Sequence, residues 1–226
     1  MLEQKELWHG SKEIVERPVY GVGKKYNDYG QGFYCTENPE LAKEWACAER
    51  QGGYANHYLL DLRGLSVMNL SDPQYTTLNW MALLVDNRRF ALSSAVGQRG
   101  AAYLREYFLP DLSAVDAVVG WRADDSYFSF ARAFLNNTIS LDQLSYAMRI
   151  GKLGEQFVLK SPGSFEQIQF LGYEPTDGTV YYARRQRRDL EARAEYRRRA
   201  AEDDLNGLYM RDILREGIRN GDERIR

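Results

Sequence analysis

The chain has 226 residues, 44% hydrophobic and 27% charged, enough for one well-filled domain with an appendage. A net charge of −2 argues against a molecule held to nucleic acid by its overall field, and two cysteines with two histidines leave neither a disulfide framework nor a His/Cys zinc site. No stretch reaches the ~18 apolar residues that cross a bilayer and the N-terminus lacks a signal-like pattern, so a reducing cytoplasm is expected, without metal and without membrane.

In chain order, Leu7 and Trp8 precede a Gly-Ser turn signal, which predicts a short strand over 6–10. Pro18, Gly21, Gly23, Asn27 and Gly30 then make 11–31 a long loop, of a length that is functional or disordered in compact domains. Phe33 to Thr36 is apolar and β-prone. Asn38 followed by Pro39 predicts a capped helix on which Leu41, Ala42 and Trp45 share a face. A strand at 57–62 is expected to continue after Gly64 over 65–70. Ser71-Asp72-Pro73 then opens a helix to about Val85. Further helices are expected over 101–109, over 126–136 with Asp124-Asp125 as cap, and from Ser140 to about Ile150. Strands fit 114–119, 155–160 and 167–173. This order of elements indicates an α+β fold.

From Ala183 the texture changes. Eight arginines stand between 184 and 199 against three acids, and Leu205, Leu208, Ile213 and Leu214 follow at loosely helical spacing. The segment 183–219 reads as a charged helical appendage, a solvated helix first and an RNA- or partner-binding element second. The expected division is a domain over 1–180 and an arginine-rich appendage over 181–226.

Three short motifs stand in order. His9-Gly10-Ser11 lies on the first strand, Gly30-Gln31-Gly32-Phe33-Tyr34 on the second, and Trp45 on the helix eleven residues beyond Tyr34. Together they resemble the ADP-ribosyltransferase superfamily in its poly-ADP-ribose-polymerase-like branch. More narrowly, "DYGQGFYCTENPELAKEWA" with "VVGWRADDSYF" is similar to a small bacterial family of uncharacterised domains, DUF3990-like, assigned to that superfamily. The resemblance covers about residues 6–173 and implies a split β-sheet core with inserted helices. It implies NAD as substrate, with His9 on the adenosine ribose, Gly10 and Gly32 allowing close backbone approach, and Ser11 on a sugar or the carboxamide. Tyr34 and Trp45 would sandwich the nicotinamide.

The family's glutamate at the start of a later strand falls on "GEQFVLKS", where Glu155 and Gln156 compete. Neighbours on a strand face opposite ways, so only one of them enters a cleft. A glutamine there can hydrogen-bond a ribose but cannot act as a base, which favours single transfer over chain elongation. Cleavage between nicotinamide and ribose passes through an oxocarbenium-like transition state and releases a neutral base, so it needs positioning and charge stabilisation more than a general acid. No Rossmann-type glycine loop is present, as fits a dinucleotide consumed rather than carried.

Each motif residue alone has a structural explanation: His9 as a bonded core histidine, Tyr34 and Trp45 as packing, the glycines as turn formers. Trp8 and Phe33 are expected in the core. Asp28 guards the loop or caps a turn, and Arg122 binds a pyrophosphate or makes a surface ion pair. The expected activity is mono-ADP-ribosyl transfer to a protein or nucleic-acid acceptor, with the resemblance implying a toxin or phage-defence effector and an antitoxin partner. The alternatives are an NAD- or ADP-ribose-binding module and an NAD glycohydrolase.

Overall fold

The computed structural model describes residues 3–123, 125–150, 154–202 and 204–225, without the side chains of 125–127 and 149–150. Asp124 and the Asp125 side chain, expected as a helix cap, lie outside this set. Two sheets carry the fold among the described residues. The first has the order β1 (Gln4–Ser11), β3 (Tyr54–Asp61), β7 (Ile168–Pro175), all antiparallel. The second runs β2 (Phe33–Cys35), β6 (Glu155–Leu159), β5 (Ala117–Trp121), β4 (Val67–Asn69), with β4 and β5 parallel. The sheets touch edge to edge where Trp8 and Thr36 exchange backbone hydrogen bonds of 2.7 and 2.9 Å. The α+β class and the split sheet agree with the sequence. The expected 65–70 strand differs: β4 does not prolong β3 but crosses to the other sheet.

Alternation along the strands builds two cores. Leu7, Phe33, Cys35, Tyr58, Leu60, Ala117, Val119, Phe157 and Leu159 close the space between the sheets. On the opposite face of the second sheet, Val118 and Val158 meet Tyr29, Trp80 and the helices. These helices are α2 (Thr77–Asn87), α3 (Ala95–Tyr107), α4 (Asp125–Leu135) and α5 (Leu141–Ile150). Trp8 is half-buried rather than core, stacked on His57 with ring centroids 4.0 Å apart.

Caps explain where the helices begin. Asn38 Oδ1 accepts from the Glu40 and Leu41 amides at 3.0 and 3.4 Å, starting α1 (Pro39–Ala46) as expected. The helix expected from Ser71 starts six residues later, because 69–75 is spent in turns and the Thr76 amide meets Asn79 Oδ1 at 2.7 Å. Ser94, whose Oγ accepts from the Gly97 amide at 3.0 Å, starts α3 earlier than the apolar pattern suggests. A five-residue helix, α6 (Pro162–Glu166), stands between β6 and β7.

The arginine-rich segment folds as two helices, α7 (Gly178–Ala200) and α8 (Met210–Glu216), so position 181 falls inside α7. Ala192, Met210, Ile213, Ile218 and Ile225 are buried in the helical core. Arg184 pairs with Glu40 at 2.6 Å and Arg188 with Glu44, tying α7 to α1.

Candidate functional site

A cavity of about 410 Å³ opens where the first strands, α1 and the helical layer converge. His9 and Gly10 enter from β1, Tyr34 from β2, Trp45 from α1 and Gln156 from β6. Lys24, Asn27 and Asp28 come from the long loop, Arg88 from just beyond α2, Arg122 and Ala123 from beyond β5, and Arg185 from α7. Local packing explains part of this set. A Cβ on Gly10 would stand 1.9 Å from the Ala42 carbonyl oxygen and 2.7 Å from the Ala46 nitrogen, so the glycine lets α1 lie directly on β1. That contact brings Trp45 to the same mouth as His9.

His9 and Tyr34 hold each other through the backbone. Nδ1 of His9 donates to the Tyr34 carbonyl at 2.7 Å, which leaves Nε2 as the ring's free acceptor. Burial holds the His9 imidazole below its ordinary value of 6.5, with the Tyr34 carbonyl opposing. The Tyr34 hydroxyl donates to the Gly30 carbonyl at 2.6 Å and accepts from the Tyr29 amide at 3.1 Å. Its phenol is pushed above the tyrosine range, chiefly by burial. Tyr34 therefore offers the cavity its ring, while its oxygen secures the loop. Gly30, at φ +74°, makes the turn that brings the Gly30 carbonyl back to this hydroxyl.

Strand alternation separates Glu155 from Gln156. Gln156, 4% exposed, lines the cavity opposite Gly120, whereas exposed Glu155 accepts a 2.7 Å hydrogen bond from Ser71 Oγ. Gln156 Nε2 donates to Asp28 Oδ2 at 3.3 Å, and its Oε1 is buried without a hydrogen-bond partner. Asp28, also 4% exposed, takes Arg88 Nη1 on Oδ1 at 2.9 Å and the Ala123 amide on Oδ2 at 2.8 Å. Burial raises its carboxyl; the Ala123 amide and the Arg88 and Arg122 cations pull the other way.

Trp45 presents two features. The Arg122 guanidinium lies 4.7 Å from its ring centroid, a cation–π contact that places a planar cation over the indole. Its Nε1 is buried without a hydrogen-bond partner. Among the described residues no direct ring contact joins Tyr34 and Trp45. Among the described residues the cavity wall thus carries four cationic side chains, Lys24, Arg88, Arg122 and Arg185, against the one carboxylate of Asp28. Such a wall favours an anionic ligand.

Of the residues singled out in the sequence, His9, Gly10, Tyr34, Trp45 and Gln156 come together, and Ser11, Gly32 and Glu155 do not line the cavity. Ser11 Oγ donates to the Glu13 carbonyl at 2.6 Å and accepts from Asn56 Nδ2 at 3.0 Å, anchoring the start of the loop. A Cβ on Gly32 would meet the Leu159 carbonyl oxygen at 2.6 Å, so this glycine serves sheet packing. Lys24, Asn27, Arg88 and Arg185 had no sequence signal, since each is a lone polar residue within a loop, at a helix end or in an arginine run. Asp28 reads in the sequence as a loop guard or turn cap, and Arg122 as a pyrophosphate ligand or surface ion pair; both line the cavity. Gln156 also lines a second cavity of about 630 Å³ with Thr36, Asn38 and Glu155, and so forms a wall between the two.

No curated protein and no solved structure matches the chain. Residues 5–170 match the family described as a protein of unknown function, DUF3990. That span holds every element of the cavity except Arg185 of α7, and the chain belongs to this family.

Proposed function

We propose that the protein binds NAD in the first cavity, cleaves its nicotinamide–ribose bond and passes ADP-ribose to a single site on a macromolecular acceptor. One observation carries the reading: His9, Tyr34, Trp45 and Gln156, drawn from four separate elements in the order familiar from ADP-ribosyltransferases, line one cavity with a cationic rim. Lys24, Arg88, Arg122 and Arg185 suit a pyrophosphate. Two buried groups without partners, the donor Trp45 Nε1 and the acceptor Gln156 Oε1, suit a ligand that supplies both a carbonyl and a hydroxyl or amide. A volume near 410 Å³ is in the range of small-ligand sites and takes one end of a dinucleotide.

In this reading His9 is neutral and accepts a ribose hydroxyl on Nε2, its other nitrogen being fixed by Tyr34. The faces of Tyr34 and Trp45 receive the nicotinamide, with Arg122 moving off the indole to the phosphates. Base–aromatic stacking of this kind is worth roughly 1–3 kcal/mol per ring. The departing nicotinamide needs no proton, so the cavity's work is to orient the sugar and stabilise its positive charge. Among the described residues Asp28 is the carboxylate that lines the cavity. Incubation with NAD labelled in the adenylate and a cell extract tests the proposal. Label in protein or RNA, lost in His9→Ala and Tyr34→Ala, supports it; intact NAD, with no label transferred, refutes transfer.

A binding module without turnover is the second reading, favoured by the amide of Gln156 where a catalytic base would be needed. Saturable NAD binding with no nicotinamide released is its signature. Free ADP-ribose alone marks hydrolysis.

A further inference from the structure

We infer that Asp28 is a positioning residue: it fixes the amide of Gln156 with the carbonyl oxygen turned away from it, so that the wall between the two cavities reads a ligand hydroxyl. The argument is one of donors and acceptors. Oδ1 of Asp28 is met by the Arg88 guanidinium and Oδ2 by the Ala123 amide, both of which can only donate. The carboxylate is therefore an acceptor on both oxygens, and an amide 3.3 Å from Oδ2 must turn its NH₂ toward it. The reverse orientation sets oxygen against oxygen. What remains is Oε1, buried and unpartnered on a side chain 4% exposed.

A buried acceptor without a donor is costly, and its presence beside a cavity specifies the missing partner. Of the cavity's own cations, Arg88 is on Asp28 and Arg122 over Trp45, and neither Lys24 nor Arg185 meets Oε1. The ligand must bring the donor. A neutral hydroxyl, as on a ribose, fits better than an anionic oxygen, which would face Oε1 with like polarity. Because Gln156 borders both cavities, a hydroxyl bound there sits where they meet. The identity of the ligand rests on the NAD reading above; the orientation of the amide does not.

The test has two separable halves. In solution NMR, the Gln156 side-chain NH₂ pair, identified by its loss in Gln156→Met, is expected displaced from the free-amide position. It should show nuclear Overhauser contacts to the Ala123 amide proton, which meets the same Oδ2. In Asp28→Asn the pair should move toward the free position. A free-amide pair without the Ala123 contact in the unaltered protein overturns the positioning role; Gln156→Met serves only to assign the pair, and the outcome is read in the unaltered protein. For the hydroxyl, NAD is compared with analogues lacking one ribose hydroxyl. One analogue should bind roughly 10- to 100-fold more weakly than NAD, a gap that Gln156→Met closes. Equal binding of NAD and all such analogues overturns the hydroxyl reading. If NAD does not bind while the amide contact is present, the NAD proposal fails and the role of Asp28 stands.

Discussion

The two faces of the four-stranded sheet are made from the same strands and do opposite things. Toward the first sheet, Phe33, Cys35, Val119, Phe157 and Leu159 pack as an apolar cluster, with the His9 ring against Phe33 and the Lys5 ammonium over the Phe157 ring. On the other face, one residue along, stand Tyr34, Gly120 and Gln156, with hydrogen bonds reaching to the loop, to Asp28 and to Tyr29. A side-chain period of two lets a short strand separate stability from recognition without a change of backbone. The packed face is interchangeable with any apolar set of the same volume. The other is not, because its polar groups, Gln156 Oε1 excepted, each have a specific counterpart.

The sharpest way to break this contrast is to alter adjacent residues of β6. Phe157→Ala should cost about 3–5 kcal/mol in denaturant unfolding, from lost burial and a cavity between the sheets. Gln156→Met, almost isosteric, should change stability by less than about 1.5 kcal/mol while removing the hydroxyl preference. Equal destabilisation by both would erase the distinction. Next in size is Gly10→Ala, whose Cβ would stand 1.9 Å from a backbone oxygen of α1. A cost of about 1–3 kcal/mol is expected with weaker ligand binding, since Trp45 must shift with the helix.

Tyr34→Phe sharpens the polar side. It keeps the ring but releases the Tyr29 amide and the Gly30 carbonyl, for about 1–2 kcal/mol, and hydrogen exchange at the Tyr29 amide should accelerate. Unchanged exchange would show that the hydroxyl does not hold the loop. The smallest effect concerns pH. His9 has a folded value below 6.5, so the unfolded chain binds the proton more readily and stability falls as pH drops through and below that point. The loss is at most about 1.4 kcal/mol per pH unit for this one group, and His9→Gln should flatten that component of the profile.

Much of this architecture is legible in the residues. Asn38-Pro39 announces α1, Gly154 precedes β6, and the alternation of 155–159 places one member of the Glu155/Gln156 pair inside, though which one depends on register with β5. Boundaries failed at Ser71-Asp72-Pro73, whose helix-start signal is spent in turns before Thr76, and at Ser94, whose side-chain cap starts α3 ahead of the expected span. The crossing of β4 to the second sheet is a long-range pairing that no local signal encodes. Arg88 joined the site for the same reason, through its ion pair with Asp28, and Lys24 through the course of the long loop. The arginine run is largely solvated, as its charge indicates, with only Ala192 of 184–199 buried, whereas Met210, Ile213 and Ile218 after it enter the helical core.

The placement of Arg185 has a consequence for the charge of the cavity. The family match ends at residue 170 and the helix bearing this arginine begins at Gly178, so one cation of the wall stands outside the matched segment and outside both sheets. Replacing it alters the charge offered to a ligand while the strands that carry His9, Tyr34 and Gln156 keep their pairing.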